Sequence, residues 1–111
     1  MYQLKVDILL PLYHNPDANG SCRKINGGEF SETYKDLINH FGGCTVDPAP
    51  RSGVWINPDT GQEITDEVVV YWIICEETKE NKLFLNDFKE VLKKRFRQDE
   101  IMMYSTRIRR I

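Results

Sequence analysis

Residues 66–77, DEVVVYWIICEE, form the longest near-continuous apolar run in the chain. The run is rich in β-branched and aromatic residues, and charges close it at both ends. A strand buried on both faces reads this way, because neither face is reserved for polar side chains. Any fold open to this chain must give that strand neighbours on its edges and cover on its faces.

The bulk properties set the frame for that strand. A chain of 111 residues is predicted to fold as a single domain, 1–111, able to bury a core without disulfide or metal staples. With 41% hydrophobic and 29% charged residues it is globular in composition. A net charge of -2 gives no global bias toward nucleic acid or a membrane. The charge is uneven, however: residues 89–111 hold eight basic side chains against three acidic ones. A solvated helix back with a polar tail accounts for this, and a phosphate-facing patch is the sharper alternative.

Three cysteines, Cys22, Cys44 and Cys75, show neither a disulfide framework nor zinc spacing, and no metal or cofactor is expected. Cys75 reads as a small core hydrophobe. The first residues carry charges where a secretory signal would be apolar, and no run approaches the roughly 20 apolar residues of a membrane helix. A cytoplasmic location is the resulting expectation.

The order of elements follows from periodicity. Residues 3–13 alternate as a strand, with Leu4, Val6, Ile8 and Leu10 on one face and Lys5, Asp7 and Leu9 on the other; Pro11 belongs at its end. Residues 14–28 read as a loop, with turn chemistry at 15–17 and 19–20; a floppy surface loop is the plainer account, and Ser21, Cys22, Arg23 and Lys24 make it a candidate lid. Residues 29–41 are predicted helical, with an apolar stripe at Phe30, Tyr34, Leu37, Ile38 and Phe41 and a glycine cap at Gly42. Residues 44–46 are extended, residues 47–50 stiffen the chain, and residues 53–77 form a hairpin turning at 57–61. Residues 78–97 contain a second helix, capped by Thr78 or Asn81, with Leu85, Phe88, Val91, Leu92 and Phe96 buried. Residues 101–108 are the last strand.

Strand, helix, strand, strand, helix, strand is the pattern of an α+β, ferredoxin-like βαββαβ sandwich: a four-stranded antiparallel sheet with two helices on one face. Two helices cover only one side of the sheet. The other side still receives large apolar residues from the central strand, whichever way that strand faces. Such a patch marks an interface or ligand site.

Residues 41–104 resemble a family of small, uncharacterised bacterial proteins, a domain of unknown function. The resemblance rests on Gly43-Cys44-Thr45-Val46, on Gly53-Val54-Trp55, on Gly61-Gln62-Glu63 before the apolar strand, and on Phe96-Arg97-Gln98-Asp99 before the last strand. Residues 14–28 and the residues between Thr45 and Gly53 depart from it. The resemblance implies the fold and no activity.

Five residues are candidate ligand or interface groups. Trp55 could stack on a ligand or plug the core end. Glu63 and Glu67, four apart on one strand, point to one face and could act as an acid/base pair or metal seat near Trp55; a solvated strand start is the plainer account. Tyr71 could line a groove. Arg107, with Arg23 and Arg51, could clamp an anion, or Arg107 could pair with Asp7 across strands. No set of residues identifies a catalytic centre. The functional expectation is therefore a small homodimeric binding or interaction module using the open sheet face. The alternatives are a small cofactor-free enzyme of the dimeric ferredoxin-like type and nucleic-acid binding through the basic C-terminal segment. RNA-type recognition is disfavoured by the absence of the aromatic ribonucleoprotein pattern and by acidic flanks on the central strand.

Overall fold

The computed structural model describes residues 2–15 and 18–111. Its elements are β1 (Gln3–Pro11), α1 (Gly27–Phe41), β2 (Thr45–Ile56), β3 (Glu63–Glu76), α2 (Lys79–Arg95) and β4 (Met102–Ile108). The strands make one antiparallel sheet in the order β2-β3-β1-β4, the expected ferredoxin-like α+β arrangement. Among the described residues no helix is long and apolar enough to cross a membrane.

The two most apolar strands are central because each has two neighbours to satisfy its backbone and one face to bury. Leu4, Val6, Ile8 and Leu10 of β1 alternate into the core beside Val69, Tyr71, Ile73 and Cys75 of β3. Leu37, Leu85, Phe88, Leu92, Phe96 and Ile101 close that core from the helix side. Burial raises the pKa of the Cys75 thiol and the Tyr71 phenol, and pushes the half-buried Cys44 thiol to about 11.

Local chemistry sets the helix ends. Asn26 caps α1 by accepting the Gly28 N–H at 3.1 Å, so the helix starts two residues earlier than predicted. Gly42, at φ 80°, ends it. Of the two expected caps of α2, Thr78 is the N-cap, its hydroxyl accepting the Asn81 N–H at 3.1 Å; Asn81 lies in the first turn, and its Nδ2 donates to the Glu76 carbonyl at 2.8 Å. The C-terminus of α2 closes through Arg97, a non-glycine residue at φ 52°. The Gln98 N–H reaches the Lys93 carbonyl at 2.8 Å and the Arg97 N–H reaches that of Lys94 at 3.3 Å, a Schellman closure.

Four details differ from expectation. Tyr34 and Val91, assigned to the buried stripes, are 39% and 45% exposed. The helix turns Thr33 inward instead, because Arg95 of α2 crosses to it. Arg95 donates to Thr33 Oγ1 at 2.9 Å and to Asp36 Oδ2 at 2.7 Å, and this polar clamp rotates the contact face. Residues 47–50, read as a stiff connection, lie within β2. An edge strand tolerates Pro48 and Pro50 where the register shifts between Asp47 and Arg51. The two ends of the 14–28 loop are tied together: Tyr13 bridges Lys24, the His14 N–H reaches the Arg23 carbonyl at 2.7 Å, and Ile25 is buried. The turn expected at 15–17 includes Pro16 and Asp17, which lie outside the described residues. Lastly, β1 ends at Pro11, opposite Val68, so the hairpin beyond Val68 projects past the β1 edge.

Candidate functional site

Strand register decides which candidates meet. Glu63, Glu67 and Tyr71 differ by even steps along β3, so they share the helix-side face with Val69 and Ile73. Trp55 pairs with Ile64 and therefore stands on the opposite face. The proposed grouping of Trp55 with the two glutamates is thus undone by the pleat. Tyr71 lies 7% exposed beneath the helices, its ring centroid 6.3 Å from that of Phe30, and lines no open-face groove. Among the described residues no group of three His, Cys, Asp or Glu side chains forms a metal seat around Glu63 and Glu67. Trp55, 46% exposed on the projecting hairpin, donates its indole N–H to Asp66 Oδ2 at 2.9 Å; it plugs no core.

Arg107 also departs from expectation. It pairs with Leu4, on the helix-side face, and Asp7 faces the other way, so no Arg107–Asp7 pair forms. Its partner is Glu77, met by Nε at 3.3 Å and Nη2 at 3.0 Å, and its guanidinium lies 4.9 Å from the Tyr2 ring centroid. Lys82 Nζ approaches the same carboxylate at 3.4 Å. The Arg107 hydrogen bond is the main cause holding Glu77 below its ordinary pKa of 4.5, with Lys82 adding to it. A carboxylate depressed in the folded state contributes stability that is present above 4.5 and lost as pH falls through its lower folded value. Glu77→Gln should therefore lower stability at pH 7 and flatten the acid limb below 4.5, followed by circular dichroism. An acid limb identical to the wild type would contradict this assignment. Much of the remaining basic segment is committed internally as well: Lys89 to Glu100 at 2.8 Å, Lys93 to Glu90 at 3.3 Å and Arg95 to Asp36 at 2.7 Å. Among the described residues, one open cavity of about 380 Å³ lies along the helices beside His40 and Phe84, and another of about 460 Å³ beside Tyr2 and Arg109. Neither is lined by Trp55, Glu63, Glu67, Tyr71 or Arg107.

The face without helices holds a different constellation. There Asp7 of β1 is directly opposite Trp72 of β3 on one side and Tyr104 of β4 on the other. Directly opposed residues of an antiparallel pair bring their Cβ atoms to roughly 4.5–5.5 Å, so two aromatic side chains flank this carboxylate. The Asp7 side chain is 9% exposed although no helix lies over it. Its cover includes Lys5, whose Nζ is 3.4 Å from Asp7 Oδ1 and 4.9 Å from the centroid of the Trp72 ring. Leu9, Val70 and Ile74 extend the floor, and Met102 and the half-exposed Tyr104 form one flank. On the other flank Arg51 meets Asp47 Oδ2 at 2.9 Å. Its charged form is favoured first by that hydrogen bond, and Tyr104 adds a weaker electrostatic contribution across the face. The arrangement combines π-faces, a carboxylate of low exposure and an apolar floor. These are the elements that hold a weakly hydrated cation attached to a flat apolar group.

The chain shares its fold with a phage SAM lyase. That solved structure, a complex with S-methyl-5'-thioadenosine, superposes with a TM-score of 0.66 over 95% of this chain and 81% of the other, at 16% sequence identity. No family model matches the sequence, and no curated protein matches it. At this identity the likeness concerns the fold.

The sequence pattern puts Asp7 on the face of β1 opposite Leu4, Val6, Ile8 and Leu10, and suggests for it only a possible pairing with Arg107. The available signal was a lone carboxylate in the middle of an apolar central strand. Its aromatic neighbours belong to β3 and β4, and only the register brings them beside it.

Proposed function

We propose that this chain is a small enzyme that cleaves the carbon–sulfur bond of an adenosyl sulfonium compound on its open sheet face. The observation carrying this reading is the low-exposure Asp7 between Trp72 and Tyr104 on a face that no helix covers. The shared fold with a lyase that was captured with a thioadenosine supports the choice of substrate class.

The chemistry suits a site of this composition. A sulfonium is already an activated leaving group. When the C–S bond breaks, its electron pair stays on sulfur, and the cation becomes a neutral thioether. The departing carbon arm can be closed by its own carboxylate, so no oxidant or reductant is required. Asp7 and the two rings would hold the cation, and an aromatic face would stack on the adenine. Arg51, on the flank of the same face, is the group placed to meet the arm's carboxylate. Purified protein incubated with S-adenosylmethionine should release 5'-methylthioadenosine, resolved by liquid chromatography. Absence of product above a buffer control at micromolar enzyme would end this reading.

A second reading is supported by the exposed apolar residues of the same face, Ile74 and Met102, and by Trp55 on the projecting hairpin. On that reading a second copy of the chain covers the sheet, as in a homodimeric interaction module. Sedimentation equilibrium at micromolar concentration discriminates it: a mass of 13.0 kDa, that of one chain, would count against it.

A further inference from the structure

Lys5 stands where a cationic ligand would stand. Its ammonium touches both groups that would attract such a ligand: Asp7 Oδ1 at 3.4 Å and the Trp72 ring at 4.9 Å from its centroid. Among the described residues no other basic side chain pairs with Asp7. The neighbours of Lys5 across the sheet, Thr106 on β4 and Ile74 on β3, carry no charge. The two members of the pair differ in mobility. Asp7 belongs to the central strand and its side chain is 9% exposed, whereas the Lys5 side chain is 38% exposed on a flexible four-carbon stem. A partly exposed ion pair is worth only about 0–1 kcal/mol, so the ammonium can leave for water at little cost.

We infer that Lys5 is a displaceable internal occupant of the cation position, and that it sets which cations the face accepts. This rests on the reading of that face as a sulfonium site. A ligand must hold Asp7 and Trp72 better than a tethered primary ammonium does. A primary ammonium is compact and strongly hydrated. Sulfonium and quaternary ammonium groups are weakly hydrated, give up water more readily and spread more contact over an aromatic face. Lys5 therefore biases the site toward such cations and against free amines. Neutral thioethers gain nothing when it leaves.

The test compares the wild type with Lys5→Gln and Lys5→Arg by calorimetry or NMR titration. The probes are trimethylsulfonium, S-adenosylmethionine and neutral 5'-methylthioadenosine. Removal of the resident charge in Lys5→Gln should tighten both sulfonium ligands by about twofold to fivefold. Binding of 5'-methylthioadenosine should stay unchanged, and Lys5→Arg, which keeps a cation in place, should bind the sulfoniums no more tightly than the wild type. Unchanged or weaker sulfonium binding in Lys5→Gln overturns the inference. The enzymatic reading fails separately. Tightened trimethylsulfonium binding without conversion of S-adenosylmethionine by the wild type leaves the occupant in place and removes the lyase. Conversion without tightening removes the occupant alone.

Discussion

Phe96→Ala should cost about 3–5 kcal/mol, the usual range for emptying a fully buried aromatic site. The Phe96 side chain is 0% exposed and sits where α2 ends, its ring edge-to-face with Phe30 of α1 at 5.2 Å between centroids. It therefore joins the two helices to each other and to the sheet core. The truncation removes its transfer free energy, leaves a cavity and breaks an aromatic pair worth about 0.5–1.5 kcal/mol beyond its area. The backbone around it has no freedom to collapse inward. The Phe96 N–H is bonded to the Leu92 carbonyl at 2.9 Å, and its own carbonyl receives Gln98 Nε2 at 3.1 Å and His14 Nδ1 at 3.2 Å. For a domain of this size the loss corresponds to a drop of roughly 10–20 °C in Tm by differential scanning calorimetry. It is a large share of the total stability of about 5–15 kcal/mol typical of such domains. Phe96→Leu, which keeps most of the volume, should recover more than half of the loss. A drop under about 3 °C for the alanine variant would show that the helix junction repacks and is not the keystone described here.

Phe96 was legible as a core residue because helical periodicity alone assigns it, and the same holds for Leu85, Phe88 and Leu92. The alternation in β1 likewise grouped its core residues, whereas for β3 it separated two apolar faces without choosing between them, and the glycine cap at Gly42 followed from left-handed backbone preference. Tyr34 was misassigned because apolar periodicity does not register a polar contact; Val91 also lies exposed. Arg95 reaching Thr33 and Asp36 outweighs the hydrophobicity of Tyr34 in fixing how α1 is rotated. The candidate site was less legible for a related reason. Glu63, Glu67 and Trp55 are close in sequence, but the face each one presents depends on parity and pairing register, and these place Trp55 apart from the glutamates. Conversely Asp7, Trp72 and Tyr104 are far apart in sequence and become neighbours only through two antiparallel registers. Alternation gives the face of each residue in a single strand. It does not give the register, so it could not choose among carboxylates.

Asp7→Asn is the substitution that separates the face's chemistry from its architecture. The amide keeps the size of the carboxylate and its place between Trp72 and Tyr104, and removes only the charge. On the proposed reading that charge holds the sulfonium against the two rings, and the bound ligand itself covers the carboxylate, which strengthens the electrostatic interaction relative to the open face. Loss of a preorganised electrostatic group of this kind lowers turnover by about 10²–10³. Release of 5'-methylthioadenosine from S-adenosylmethionine should accordingly fall by at least about 100-fold in kcat/KM. Stability should hardly change, because the charge partner lost among the described residues is Lys5, whose 38% exposed side chain can turn to solvent. The pair of measurements matters more than either alone. A variant that keeps its Tm and loses activity assigns the charge to the ligand. A variant that keeps both activity and Tm removes Asp7 from the site. Trp72→Leu provides the independent control, since it leaves Asp7 charged but takes away the ring beside it. That variant should weaken trimethylsulfonium binding while sparing the affinity for a neutral polar probe, as a cation–π contact requires. If Asp7→Asn unfolds instead, with a fall in Tm comparable to that of Phe96→Ala, the carboxylate is a structural member of the sheet and the open face loses its claim to chemistry.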